Sequence, residues 1–276
     1  MIGVIDVGGG NRGAFGAGFF DYCLDEKIVF DYCVGISAGS ANVSSYIAKQ
    51  RGRNYRFYTK HNLSKEAISA HNLLTKHSVV DFHYIYTVVS GEDGADPFDY
   101  DTFQKSNQKM VVVVTDAESG KPNYYTNDAM QKNQYGLLAA SCNIPVINQP
   151  YMFNGRACYD GGLVDPIPIE HAFEEGCDKV VVVLTRPKDY YRTNERDKTV
   201  AKLMNKYPAV RRAMIRRAEL YNAQLDLIKA YEKLGKVLII APKEAAHIDT
   251  LGKDTTVIQA LYDEGYDQAR RVLEFI

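Results

Sequence analysis

Residues 34–40 read VGISAGS, and the interpretation of this run decides the fold. Gly35-Ile36-Ser37-Ala38-Gly39 is a G-x-S-x-G pentapeptide. Apolar Tyr32-Cys33-Val34 precede it and a helix-compatible run, residues 40–50, follows, which predicts strand, sharp turn, helix. A serine at the tip of such a turn has strained backbone angles, and its crowded neighbours leave no room for a Cβ, hence the flanking Gly35 and Gly39. Ser37 is then expected to stand exposed at the carboxyl end of a strand. The N–H groups of the next helix would point at any oxyanion formed beside it. The alternative is a glycine-rich connection without chemistry, because a pattern this loose recurs by chance.

Upstream, the same arrangement occurs once more. Residues 2–7 (IGVIDV) form the near-continuous apolar run of a strand buried on both faces. Gly8-Gly9-Gly10-Asn11-Arg12-Gly13 follows, and then Phe15, Phe19, Tyr22 and Cys23 recur at helical spacing. Consecutive glycines bring backbone N–H groups close to an anion at a helix mouth. Arg12 is a cation at the unfavourable end of that helix, so another partner is expected for it; the alternative is a solvated side chain. Gly8, Gly10 and Gly13 also fit the dinucleotide pattern G-x-G-x-x-G. That site requires an acid at the carboxyl end of the second strand, whereas Asp31 stands at its beginning, so no dinucleotide is expected.

These motifs resemble those of the patatin-like phospholipase family, whose pattern is G-G-G-x-[R/K]-G, then G-x-S-x-G, then D-G-[G/A]. The third element is present as Asp160-Gly161-Gly162 within RACYDGGLVDPIPIEHA, residues 156–172. Residues 137–145 (LLAASCNIP) resemble the family's helix-to-strand stretch, and the similarity runs from Met1 to about Pro187. Residues 49–54 (KQRGRN) are similar to a segment of its bacterial branch, which has a helical C-terminal extension. The resemblance implies lipid acyl hydrolysis, of the phospholipase A or lysophospholipase kind, by a serine–aspartate dyad, Ser37 and Asp160. It also implies an oxyanion hole in the loop Gly8, Gly9, Gly10, Asn11, Arg12 and Gly13, with the Ala38 amide as a further donor. Gly161 and Gly162 would let the Asp160 turn come close. A thioesterase or a general carboxylesterase needs the same site, and a silent lipid binder on the same fold is the reading from another class.

A serine needs a base, and a carboxylate of ordinary pKa ~3.9 is a weak one, so Asp160 is expected to be partly desolvated. The order serine, acid, histidine would instead enlist His171 or His247. His171 falls opposite Ile169, Ala172 and Phe173 on its helix and is expected to face solvent; His247, in the loop 242–249, is not excluded by pattern.

The chain has 276 residues, of which 46% are hydrophobic and 24% charged, as in an ordinary globular protein. Its net charge of −1 gives no long-range pull toward nucleic acid, and no nucleic-acid partner is expected. The 5 cysteines form no C-x-x-C pair, which suits free thiols and a cytoplasmic location. The opening MIGVIDVGGG lacks a basic segment before an apolar run, so no secretory leader is expected. The β-branched runs 110–115, 179–185 and 237–241 add strands to residues 2–7 and 30–34. The expected fold is a doubly wound, mostly parallel α/β sheet of about five or six strands with helices on both faces. Residues 1–276 are read as one domain, with core motifs to 187 and a helical extension with one further strand over 188–276.

Phe82, Tyr84, Tyr86 and Val88 alternate in residues 80–89, which suggests a strand or the wall of an acyl pocket, with core packing as the default for such aromatic residues. His61, His71, His77 and His83 have no carboxylate at ligand spacing, so no metal and no other cofactor are expected. The acidic loop 91–101 (GEDGADPFDYD) is read as solvated. Residues 208–234 form a long amphipathic helix carrying Arg211, Arg212, Arg216 and Arg217. A solvated face is the default for these arginines, and peripheral contact with phospholipid headgroups the alternative. Residues 255–275 add two short helical stretches, and oligomeric state is left open.

Overall fold

The computed structural model describes residues 1–245 and 249–276. Within them one sheet contains β1 (Ile2–Asp6), β2 (Tyr32–Ile36), β3 (Lys109–Asp116), β4 (Pro122–Thr126), β5 (Tyr151–Phe153), β6 (Arg156–Asp160), β7 (Lys179–Val183) and β8 (Val237–Ile240). Their order is β5-β6-β3-β2-β1-β7-β8, with β4 also paired to β3. The five strands from β3 to β8 in this order run parallel and correspond to the five β-branched or apolar runs. The additional three, β4, β5 and β6, are antiparallel. They exceed the expected five or six because β4 is half-exposed and polar and β5 has 3 residues, which leaves little apolar signal.

Alternate residues of each parallel strand serve two cores. Val4, Val112, Val114, Val181 and Val183 face one layer, while Ile5, Val111, Val113, Val180 and Val182 face the other. Burying each such side chain contributes roughly 1.5–3 kcal/mol, so the alternation fixes the register. Helices α1 (Ala14–Asp25) and α2 (Ala38–Ile47) cover the first face. The helices Ile169–Glu174 and Pro208–Lys233 cover the second, through Ile169, Ala172, Leu225 and Ile228.

The C-terminal extension is fastened to the rest at three places. β8 pairs in parallel with β7, and the helix Pro208–Lys233 lies behind the Asp160 turn. The helix Thr255–Gln268 crosses α1 so closely that a Cβ on Gly18 would lie 1.9 Å from the Tyr262 carbonyl oxygen, and one on Gly265 1.9 Å from that of Phe15. The two stretches expected over 255–275 are this longer helix and the short Val272–Phe275. Among the described residues, no helix is long and apolar enough to cross a membrane.

Candidate active site

Ser37 follows β2 and precedes α2 with φ 55 and ψ −133, a region that costs a non-glycine residue ~1–3 kcal/mol. The surroundings impose it. The Ser37 N–H donates to Ser141 Oγ at 2.9 Å, and that hydroxyl donates to the Val113 carbonyl at 2.7 Å. The Ser37 carbonyl accepts from the N–H and the hydroxyl of Ser40, at 2.9 and 2.7 Å. A Cβ on Gly35 would lie 2.4 Å from Ser40 Cα, and one on Gly39 2.2 Å from the Asp6 carbonyl oxygen, so both glycines are required for shape. Ser37 is 8% exposed rather than standing out at the strand end, because residues from 53–86 and 142–148 build a cleft above it.

The glycine loop lies against this turn. Gly8, Gly9 and Gly10 all have positive φ, 64, 134 and 61. A Cβ on Gly8 would meet the Ile36 carbonyl oxygen at 2.3 Å and the Gly39 nitrogen at 2.8 Å. The loop's N–H groups are not all available to a ligand, as the motif alone suggests: Gly8 N–H donates to Asp6 Oδ1 at 2.9 Å and Asn11 N–H to the Thr250 carbonyl at 2.8 Å. Gly9, Gly10 and Ala38 are the remaining expected donors. Gly13 serves shape, its carbonyl accepting from Asn42 Nδ2 at 2.9 Å while a Cβ would lie 2.4 Å from Tyr58 Oη. Arg12 is buried, not solvated; its guanidinium is held below its ordinary pKa, at about 10, by burial and by the nearby cation Arg186.

Asp160 closes β6. Val114 of β3 pairs with Asp160, while its neighbour Val113 pairs with Ile36, so Ser37 and Asp160 emerge on either side of one central strand. The backbone then crosses the end of β3, where a Cβ on Gly161 would lie 2.2 Å from the Val113 carbonyl oxygen. Asp160 Oδ1 accepts from Gly162 N–H at 2.8 Å. Burial raises its pKa above the ordinary carboxylate range, against the opposing effects of Arg217, the Ser37 hydroxyl and the Gly162 amide.

Several supports were not legible in the sequence. Asp6 accepts from Gly8 N–H and from Asn42 Nδ2 at 2.8 Å, and burial pushes its carboxyl up to about 6. The one available signal was a lone acid in an apolar strand. The Thr185 hydroxyl donates to the Gly8 carbonyl. Arg217 donates from Nε to the Gly162 carbonyl at 3.0 Å. Of the four arginines on its helix, Arg211, Arg212 and Arg216 form the solvated face, whereas half-buried Arg217 turns inward.

An apolar cleft of about 750 Å³, including its open mouth, leads from Ser37 between Phe57, Ile68, Val80, Phe82, Ile85, Tyr86, Ile144 and Leu251. Residues 80–89 are therefore neither a strand nor core alone: Tyr84–Val89 is helical, and Val80, Phe82 and Tyr86 line this cleft. The acidic loop 91–101 is not uniformly solvated either. Its Asp96 is buried, binds Arg56 through two contacts of 2.7 and 2.9 Å, lies 3.8 Å from Arg53, and meets His61 at 3.3 Å. Arg53 in turn covers Phe57 at 4.4 Å, so the KQRGRN segment braces the cleft wall.

The remaining expectations concern histidine, metal and nucleotide. His171 is stacked on Tyr124 at 3.8 Å and near Tyr32, which starts β2, at the opposite end of that strand from Ser37. It is half-buried rather than free in solvent and cannot reach the serine. His247 lies outside the described residues. Among the described residues, no group of histidine, cysteine or acidic side chains could hold a metal ion. Asp31 accepts from the Ile2 N–H at 2.8 Å, at the amino ends of β1 and β2, away from the glycine loop.

A strained serine turn against a glycine loop, with an acid across one strand, defines a class of α/β protein, and sequence comparison identifies the family. The chain belongs to the patatin-like phospholipases, whose family matches residues 7–173, while residues 207–276 match a domain of unknown function, DUF6363. It is 25% identical over 197 residues to the uncharacterized protein YjjU of Escherichia coli (strain K12), covering 70% of this chain and 54% of that one. The chain thus spans about half the length of this curated relative. Among solved structures, VipD from Legionella pneumophila is similar with a TM-score of 0.48 and 14% identity, over 99% of this chain and 66% of that one.

Proposed function

We propose that the chain is a serine acyl hydrolase that cleaves lipid carboxylic esters through a Ser37–Asp160 dyad, without metal or cofactor. The observation that carries this reading is the serine hydroxyl at the floor of an apolar cleft, with the buried Asp160 carboxyl as its neighbour. Asp160 takes the Ser37 proton as the hydroxyl attacks the ester carbonyl, and the alcohol leaves with that proton. Water, deprotonated by the same carboxylate, then releases the fatty acid from the acyl-enzyme. The amides of Gly9, Gly10 and Ala38 hold the oxyanion, and loss of one such donor typically costs ~10²–10³ in rate. The cleft takes the acyl chain, each buried methylene contributing ~0.8 kcal/mol, so longer chains are preferred until the cleft is full.

The pairing of β8 with β7 supports reading residues 1–276 as one functional unit. A general carboxylesterase or thioesterase would use the same site with a different leaving group. The test is release of fatty acid from a panel of phospholipids, thioesters and short-chain esters by wild type, Ser37→Ala and His247→Ala, with fluorophosphonate labelling of each. Turnover and labelling lost in Ser37→Ala and kept in His247→Ala is the expected result. Full turnover by Ser37→Ala would overturn the assignment, and loss in His247→Ala would replace the dyad by a triad.

A further inference from the structure

The cleft above Ser37 has one edge that comes from far along the chain. Thr250 and Leu251 line it together with Gly10, Asn11 and Ile68. They belong to residues 249–253, a short connection that leads into the helix Thr255–Gln268. Its far end is fixed, because Asp254 caps that helix, accepting from the N–H groups of Thr256 and Val257 at 3.0 and 3.2 Å. The helix in turn is held to α1 by the close approach at Gly18 and Gly265. It is also held to the segment that builds the cleft wall: the Tyr55 hydroxyl donates to Gln259, and Tyr55 packs on Tyr262 with ring centroids 4.7 Å apart.

This connection holds two sides of the cleft at once. Toward the glycine loop, the Thr250 carbonyl accepts from Asn11 N–H and the Gly252 carbonyl from Asn11 Nδ2, both at 2.8 Å. A Cβ on Gly10 would lie 2.1 Å from the Thr250 carbonyl oxygen, so the loop and the connection meet backbone to backbone. Toward the other wall, Lys253 Nζ donates to the carbonyls of Leu63 and Ile68 at 3.0 and 3.1 Å. Hydrogen bonds from an ammonium group are stronger than neutral ones, so wall and connection keep their spacing. Between these attachments Leu251 packs, half-buried, on the core that also takes Leu63 and Ile68. Leu251 therefore has a fixed place at the edge of the space that an acyl chain would fill.

We propose that Leu251 is a specificity-determining residue of the cleft, so that the stretch of unknown function at 207–276 takes part in selecting the acyl chain. The match to the patatin-like family stops at residue 173, and a cleft built from that part alone would be open on this edge. A larger side chain at 251 excludes part of a long chain but leaves a short one its place at Ser37, and each methylene excluded loses roughly four-fold. The inference rests on the acyl-hydrolase reading above, but filling of the cleft can be tested without turnover.

Two p-nitrophenyl esters, the hexadecanoate and the butanoate, are compared as a ratio of kcat/KM in wild type, Leu251→Trp and Lys253→Met. The ratio of long to short is expected to fall about ten-fold or more in Leu251→Trp, the loss of roughly two methylenes, and by a smaller factor in Lys253→Met. A side chain that only supported the fold would lower both rates alike, so an unchanged ratio in Leu251→Trp overturns the inference. Should that variant fail to fold, as judged by urea unfolding, the ratio in Lys253→Met decides in the same way, since Lys253 is exposed and its loss leaves no gap in the core. In parallel, binding of hexadecanoate to the Ser37→Ala protein, with and without Leu251→Trp, is read by displacement of a fluorescent fatty acid. Binding weakened about ten-fold by Leu251→Trp supports the role of Leu251 even if both esters are inert, in which case only the hydrolase reading falls. Equal binding overturns that role and leaves the hydrolase reading intact.

Discussion

Replacing Asp160 by asparagine tests the chemistry with little change of shape. An asparagine oxygen can still accept the Gly162 N–H at 2.8 Å, and the backbone bonds of Asp160 to Asn143 and Thr115, at 2.8 and 2.7 Å, do not involve the side chain. What is lost is a base. A positioned general base contributes ~10²–10⁴ in rate, so kcat/KM for the preferred ester is expected to fall by at least about a hundred-fold. Stability should move the other way or not at all, because burial holds the Asp160 pKa above the ordinary carboxylate range and the ionised form is the disfavoured one. The wild-type rate should also rise with pH through that raised pKa, since only the carboxylate accepts the proton, and this limb should be absent from the residual activity of the variant. The assay is initial rates across pH for both proteins, with urea unfolding alongside. An Asp160→Asn protein that keeps its rate within about ten-fold of wild type, or keeps the same limb, would refute the dyad.

Three further outcomes follow from the site's supports. Gly8→Ala should lose activity and at least ~1 kcal/mol of stability, since φ is +64 and the added Cβ would lie 2.3 Å from the Ile36 carbonyl oxygen; a variant with wild-type rate and urea midpoint would show that the loop is not wedged against the turn. Asp6 has a folded pKa of about 6 against 3.8 unfolded, so the folded state holds the extra proton and stability falls as pH rises through that window, by about 3 kcal/mol in all. Urea unfolding at pH below and above this window should show a smaller difference for Asp6→Asn than for wild type, and equal differences would sink the assignment. Asp96→Asn should destabilise by about 3–5 kcal/mol because it leaves Arg53 and Arg56 without their carboxylate at the cleft wall, and urea unfolding within about 0.5 kcal/mol of wild type would rule that brace out.

The sequence by itself determined the local pieces. Continuous β-branched runs specify strands buried on two faces, and glycines on both sides of a serine specify a turn that no Cβ can enter. These are short-range demands of backbone and side-chain sterics, so Ser37, the glycine loop and the five parallel strands could be read from neighbours in the chain. Even the amphipathic period of residues 208–234 gave the helix Pro208–Lys233 to within a residue. The tertiary structure decided what depends on groups far apart in sequence. Burial of Ser37 requires a cleft assembled from residues 53–86 and 142–148, and an acidic loop gains one buried aspartate only because Arg53 and Arg56 fold against it. Which amides of the glycine loop stay available is settled by Asp6 and Thr250, and which arginine turns inward is settled by Gly162. Periodicity reports whether a position faces the core. It carries no information about which distant group satisfies a buried charge or hydrogen bond, because that pairing exists only once the strands have taken their order in the sheet.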